Sequence, residues 1–402
     1  MKNRLVLSIA SLLFFSYLAS AQEISDTSFG KGLLNFTAKD KSFSIKFAPR
    51  MQTRFQSEWD YDGENYASSG YNFLVRRARI KMDGYAYSPK LKYKIELGLS
   101  NRDISGANQF NRNTPRYILD AVIMWQFAEG FELWAGQTKL PGNIERVVSS
   151  ANLQLIDRSL LNSKFNIDRD MGIQLRHQSK WGDKVITREK FAISQGEGRN
   201  ITEGNLGGLQ YTSRFEILPF GSFAKKGDYS QSDIARESSL KAMISVTYDI
   251  NKNAVKTRSN MGSYMFLSNG DLFETDITTL FLDAVFKYNG FSLTGEYANR
   301  DADRIIAFET DNLTRTGDVV AAGSALNVQG SYLFTNNLEM TMRYTDVDFK
   351  EITGLSDLRQ ITYGLSKYIV GHKLKVQADI SFSRKDGLKD NIAFRTGFDL
   401  HF

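Results

Sequence analysis

The sequence predicts an all-β fold, a transmembrane antiparallel β-barrel of about sixteen strands closed by a C-terminal strand that ends at Phe402. Three observations predict it. Apolar and polar residues alternate with a period of two in segment after segment, which is the strand period and not the 3.6 of a helix. Short connections alternate with long ones, as in barrels with tight turns at one rim and extended loops at the other. The last segment alternates without fault through Ile392, Phe394, Thr396, Phe398, Leu400 and Phe402. A closed barrel needs such a strand, because its last strand must pair with its first to leave no edge.

The composition agrees. Mean hydropathy is −0.35, and beyond the N-terminus no apolar run is long enough for a membrane helix. A barrel turns only every second residue to lipid, so its hydropathy averages to that of a soluble protein. With 5 Pro, 31 Gly and 12% aromatics, many strands are possible and aromatic girdles can be built. There is no Cys, which excludes disulfides, Cys-ligated metal and an acylated lipoprotein N-terminus. The net charge of +6 is modest and no basic arm stands out, so nucleic acid is not an expected partner.

Residues 1–21 read as a secretory signal. Lys2 and Arg4 precede an apolar run from Leu5 to Leu18, and Ala19-Ser20-Ala21 supplies a cleavage site. Residues 22–41 are polar and irregular and are assigned to a short periplasmic segment. The barrel is assigned to 42–402. In its first strand Phe43, Ile45, Phe47, Met51, Thr53, Phe55 and Trp59 share one parity, and Lys46, Arg50, Gln52 and Arg54 the other. Pro49 falls on the apolar parity and marks a bulge. The second strand runs over 73–87, with Leu74, Ala78, Ile80 and Met82 opposite Arg77, Arg79, Lys81 and Asp83. The third sets Leu91, Tyr93, Ile95, Leu97 and Leu99 against Lys92, Lys94 and Glu96. The fourth spans 117–127, the fifth 131–137, and eleven further segments follow, at roughly ten residues each, the length of a tilted membrane strand. The segment 219–239 breaks the rule: it is long where a short turn belongs.

The stretch 133–172 interrupts the alternation. It holds Ala135-Gly136-Gln137-Thr138-Lys139-Leu140-Pro141, then Ile156-Asp157-Arg158-Ser159, then Asp168-Arg169-Asp170-Met171-Gly172. An ordered connection this long is usually functional. These motifs, with Phe73-Leu74-Val75-Arg76-Arg77-Ala78-Arg79 upstream and Lys226-Gly227-Asp228-Tyr229 downstream, resemble the phosphate-selective porin O and P family. The resemblance implies a sixteen-stranded barrel in the bacterial outer membrane, usually a homotrimer, passing small anions without cofactor or catalysis. It also implies the partners of such a barrel: outer-membrane lipid, and the assembly machinery that reads the C-terminal strand. One departure is Gly142, where relatives often carry an aromatic residue.

If lipid takes the apolar parity, the pore takes the other. The inward set is then Lys46, Arg50, Arg54, Arg77, Arg79, Lys81, Lys92 and Lys94, against Glu58, Asp83 and Glu96. A wall of Arg and Lys is how anion pores select, and Arg matches oxyanions with a planar fork. The long connection, counted as the third external loop, is expected to act as a constriction over 139–168, with Lys139, Arg146, Arg158 and Arg169 as its basic residues. Its acids Glu145, Asp157, Asp168 and Asp170 nearly balance them. So the loop is expected to set pore size and the wall to set sign. An enzyme is not expected: His177, His372 and His401 fall near the turn rim, apart from any patterned Ser, and none has metal-ligand spacing. Alternatives are a general porin or one for another solute such as acidic sugars, and a non-conducting barrel serving as receptor or adhesin.

Overall fold

The structure, a computed structural model, describes residues 29–104, 106–201, 206–387 and 389–402. The segment assigned to a signal lies outside the described residues. Sixteen antiparallel strands close into one barrel. In chain order they are β1 (Arg50–Tyr61), β2 (Tyr66–Ala86), β3 (Ser88–Gly98), β4 (Ile118–Ala128), β5 (Phe131–Lys139), β6 (Arg169–Trp181), β7 (Val185–Ser194) and β8 (Gln210–Leu218). Then follow β9 (Lys241–Ala254), β10 (Thr275–Tyr288), β11 (Phe291–Ala302), β12 (Gly323–Leu333), β13 (Leu338–Phe349), β14 (Leu358–Val370), β15 (Leu374–Lys385) and β16 (Asn391–His401). The seam joins β16 to β1 in continuous register from Asn391↔Asp60 to His401↔Arg50. No described helix is long and apolar enough to cross a membrane.

The outer face follows the parity rule. Met51, Ile123, Ile173, Leu175, Ile244, Leu282, Leu326, Leu365 and Phe398 are all exposed. Aromatic side chains gather at the short-turn rim: Phe127, Trp181, Tyr288, Phe291, Tyr332 and Phe334 sit beside turns and are exposed. Such rings settle at the headgroup level of a bilayer.

Four sequence expectations are corrected. The second strand begins at Tyr66, not near 73, because Asp62 caps a tight turn through the amides of Glu64 and Asn65 at 2.9 and 2.8 Å. Within 22–41, Leu34–Thr37 is a strand; it pairs with Phe43–Phe47, which in turn extends the lower end of β2. There Pro49, which has no amide to give, breaks the expected first strand between Phe47 and Arg50 instead of bulging it. Leu74 does not share the outer face with Ala78. A bulge between Gln52 and Thr53 shifts the register, so Leu74 pairs with Arg54 on the inner face and Val75 faces out.

The fourth correction concerns the inner wall, which is not uniformly polar. Loop 140–168 folds into the barrel. Its helix Leu160–Phe165 is capped by Ser159, whose side chain accepts from the Asn162 amide at 3.1 Å. Leu161 and Phe165 are 0% exposed and pack on Phe281, Ala298, Ala325 and Val347 from β10 to β13. The connection 219–240 is a second internal segment. Left-handed Lys225 and Lys226 kink it, and Phe223 packs with Ile144, Val148, Leu153, Met243 and Val285. The Gln231 amide donates to the carbonyl of Asn152 at 2.9 Å, joining the two segments. Each large apolar side chain so buried contributes roughly 1.5–3 kcal/mol.

Candidate functional site

With loop 140–168 held against β10 to β13, a cavity of about 710 Å³ remains between it and the opposite wall. Among the described residues twelve arginines and Lys256 line it, against Asp103, Asp157, Asp168 and Glu197. That excess of positive charge in a low-dielectric enclosure attracts anions.

The bulge in β2 is what makes the wall dense. Gln52 pairs with Arg77 and Thr53 with Val75, which leaves Arg76 without a cross-strand partner. Arg76 and Arg77 both turn inward. A strict alternation would have put one of them in lipid, at a cost of roughly 2–4 kcal/mol near the midplane. Arg76 reaches the Asp157 carboxylate at 3.0 and 2.7 Å, Arg54 bonds the other carboxylate oxygen, and Arg77 and Arg395 stand 3.8 Å away. Burial pushes the Asp157 carboxyl up, but the guanidiniums around it, led by Arg76, outweigh burial and hold it far below the usual carboxylate range.

Below this cluster Arg79 bridges Glu96 at 2.9 Å and Asp103 at 3.0 Å. Lys94 and Arg169 share Asp120 at 2.7 and 3.1 Å. Arg50 is held by Asp399 at 2.6 Å and by Ser150 of the loop at 2.7 Å. Of the residues expected to line the pore, Arg54, Arg77 and Arg79 therefore meet in the cavity. Arg50 and Lys94 lie beneath it in ion pairs. Lys46, Lys81 and Lys92 sit at the short-turn mouth, where Lys81 meets Asp83 at 2.8 Å and Lys92 stands 3.6 Å from Glu132.

The loop residues divide in the same way. Arg146 pairs with Asp168, Arg158 donates to the Glu145 and Val148 carbonyls at 2.8 Å each, and both line the cavity with Arg169. Lys139 does not: its ammonium is buried against the carbonyls of Arg146, Val147 and Val148 at 2.7–3.3 Å, closing the end of a short helix. Gly142 has a local reason, since a Cβ there would stand 2.7 Å from Ile167. At the outer mouth, burial raises the Glu197 carboxyl to about 7 and lowers the Lys256 ammonium to about 8.

Sequence reasoning missed Arg76, Arg102, Arg116, Arg199, Arg258 and Arg395, all of which line the cavity. For Arg76 a signal existed, since two adjacent arginines in a membrane strand require a bulge. The others lie in loops or on a strand whose partner face was not assigned. The histidines do not approach one another: His177 pairs with Glu189 at 2.8 Å, and His401 lies 3.4 Å from Lys373. His372 is buried rather than at the rim surface, 2.8 Å from the Gln231 carbonyl.

A closed, girdled sixteen-strand barrel with an inward third loop and a basic lumen defines a porin of the outer membrane. The phosphate-selective porin O and P family model matches residues 50–353, and the chain belongs to that family. It is an outer-membrane anion porin. Similar solved structures include the anion-selective porin of Comamonas acidovorans, with 12% identity over 90% of this chain and 100% of that one and a TM-score of 0.55. DcaP of Acinetobacter baumannii is 12% identical over 91% and 99%, with a TM-score of 0.55. OmpT of Vibrio cholerae in its trimer form is 12% identical over 90% and 100%, with a TM-score of 0.50. Identities this low establish the shared fold. No curated protein matches the chain by sequence.

Proposed function

We propose that this porin favours oxyanions of the phosphate type, that Arg54, Arg76, Arg77 and Arg79 select the sign of the solute, and that loop 140–168 sets the width. The observation that carries this reading is the surplus of arginine over acid in the cavity. Guanidinium forks pair two N–H groups with two oxygens, which suits phosphate better than halide. Lys81, Lys46 and Lys92 at the short-turn mouth continue the positive path. The protein works without catalysis or cofactor. It is exported by its N-terminal signal, inserted through its aromatic C-terminal strand, and assembled as a homotrimer in lipid, as the trimeric form of the OmpT fold relative supports.

The test is the reversal potential of the purified protein in a KCl gradient across a planar bilayer, with and without phosphate. Anion preference is expected, and Arg77→Glu with Arg79→Glu should move it towards cations. Cation preference in the unaltered protein would overturn the reading. A second reading, a non-conducting surface barrel, is favoured by the 219–240 segment bonded to loop 140–168 inside the lumen. Absence of conductance steps would select it.

A further inference from the structure

One stretch of the lipid-facing wall is not apolar. β6 turns Met171, Ile173, Leu175, His177 and Ser179 outward, and β7 sets Ile193, Phe191, Glu189 and Thr187 beside the last four of them. His177 is the last residue of β6 to pair with β5, opposite Phe131, the first residue of that strand. The Phe131 ring stacks on the imidazole at 4.1 Å. The pair therefore lies at the short-turn rim, at the level of lipid headgroups. His177 Nδ1 stands 2.8 Å from a Glu189 carboxylate oxygen, and Nε2 stands 3.1 Å from the Ser179 hydroxyl. With Nδ1–H donated to Glu189 and the Ser179 O–H donated to Nε2, the imidazole is neutral and Glu189 keeps its negative charge. The Glu189 side chain is 45% exposed, and His177 is its one bonded partner among the described residues. An apolar groove of about 560 Å³ leads away from the pair, lined by Leu175, Phe191, Phe215, Val246 and Tyr248. A second groove shares Leu175 and Phe191 and continues past Ile173 and Ile193 to Met171. From His177 to Met171 the strand covers roughly 20 Å, more than one leaflet of a hydrocarbon core about 30 Å thick.

We propose that this face holds a phospholipid of the periplasmic leaflet whose headgroup ends in a primary ammonium, with the ammonium on Glu189 and an acyl chain along the grooves. A carboxylate on the lipid side of a barrel is costly unless a cation meets it, and no cationic side chain among the described residues bonds this one. A primary ammonium brings one positive charge and three N–H donors into the headgroup layer, and its hydrogen bonds to a carboxylate are charge-assisted. A quaternary ammonium brings the charge but no N–H to give. A headgroup of net negative charge is repelled. The His177 and Ser179 contacts hold the carboxylate at the head of the groove, so charge and apolar track recognise the two ends of one molecule.

Native mass spectrometry of the purified protein tests this, by counting the lipid it retains from an equal mixture of three phospholipids with identical chains. Their headgroups end in a primary ammonium, a quaternary ammonium, or an uncharged glycerol that leaves the phosphate unbalanced. The primary-ammonium lipid should be retained over the anionic one by roughly fivefold, the factor an exposed ion pair can supply, with the quaternary lipid between them. The chain's net charge of +6 by itself favours the anionic lipid, so a general electrostatic pull gives the opposite order. Glu189→Gln keeps the shape of the side chain and should bring the primary-ammonium lipid down to the level of the quaternary one. Equal retention of the three in the unaltered protein, a preference for the anionic lipid, or an unchanged order in Glu189→Gln would each overturn the proposal. So would retention of no lipid, the result expected if a second copy of the chain covers this face. If Glu189→Gln fails to fold, the order in the unaltered protein decides alone.

Discussion

The two halves of the barrel wall use the same residue types for different ends. From β8 to β15 the inward charged groups are engaged by neighbouring side chains or by the loop's backbone. Arg214, fully buried, lies between Glu216 at 2.7 Å and Asp283 at 2.6 Å. Glu296 accepts from Asn143 and from the Glu145 amide at 3.0 and 2.8 Å, and Lys375 donates to the Leu153 carbonyl at 2.6 Å. Here the wall grips the loop. From β1 to β6 and on β16, Arg54, Arg76, Arg77, Arg79, Arg169 and Arg395 line the cavity, and no acid of these strands lines it with them. An inward arginine thus has no fixed role. Its role is set by whether a partner carboxylate, a loop carbonyl or solvent lies opposite.

The contrast can be broken from the gripping side first. Arg214→Ala leaves Asp283 buried without its cation, while Glu216 keeps Lys190 at 2.6 Å, and should cost about 3–5 kcal/mol. The temperature at which the barrel unfolds to its slow-migrating form on a gel should fall, while ion preference stays put. A change in preference without loss of stability would erase the distinction between the halves. Next in size is removal of 142–163, which takes the filling out of the gripping half. Single-channel conductance should rise severalfold, and equal conductance would mean that the loop does not narrow the path.

The smallest effect belongs to the open half and concerns pH. Glu197, raised to about 7, and Lys256, lowered to about 8, both line the cavity. As pH rises past 7 Glu197 gains a negative charge, and past 8 Lys256 loses a positive one. Both changes subtract from the cavity's charge, so anion preference should weaken between about pH 6 and pH 9. In Glu197→Gln the lower part of that drift should vanish; a drift unchanged from the original protein would assign it elsewhere.

How legible all this was follows from the same contrast. Strand number, seam and turns were readable because lipid imposes one rule on every outward position. Val185–Ser194 and Phe291 onward fall where the alternation places them. The inner face obeys no single rule. Ile277, Phe281 and Val285 lie on the inward parity of β10, and their signal was the unbroken apolar triplet Leu280-Phe281-Leu282. Read as a strand with lipid on one side only, that triplet is anomalous, and it marks the place where the loop helix docks. The 219–240 segment had no such periodic signature: Asp228, paired with Arg188, and Tyr229, bonded to Glu216, fall in a motif the sequence shows, but part of its anchoring runs to its backbone carbonyls, which carry no sequence information, as with Lys287 to the Ser230 carbonyl at 2.7 Å. The arginine cluster was half legible: the residue types were evident on β1 and β2, but the bulge that doubles their density depends on pairing.

Arg50 ties together three parts of the chain that are made at very different times. It sits at the start of β1, bonds Asp399 of β16 across the seam, and bonds Ser150 within the loop. The closing seam and the inward loop are therefore fastened through one side chain. Contacts spanning 349 and 100 residues carry a high chain-entropy cost. Removing this guanidinium would therefore loosen the closing seam and the inward loop together.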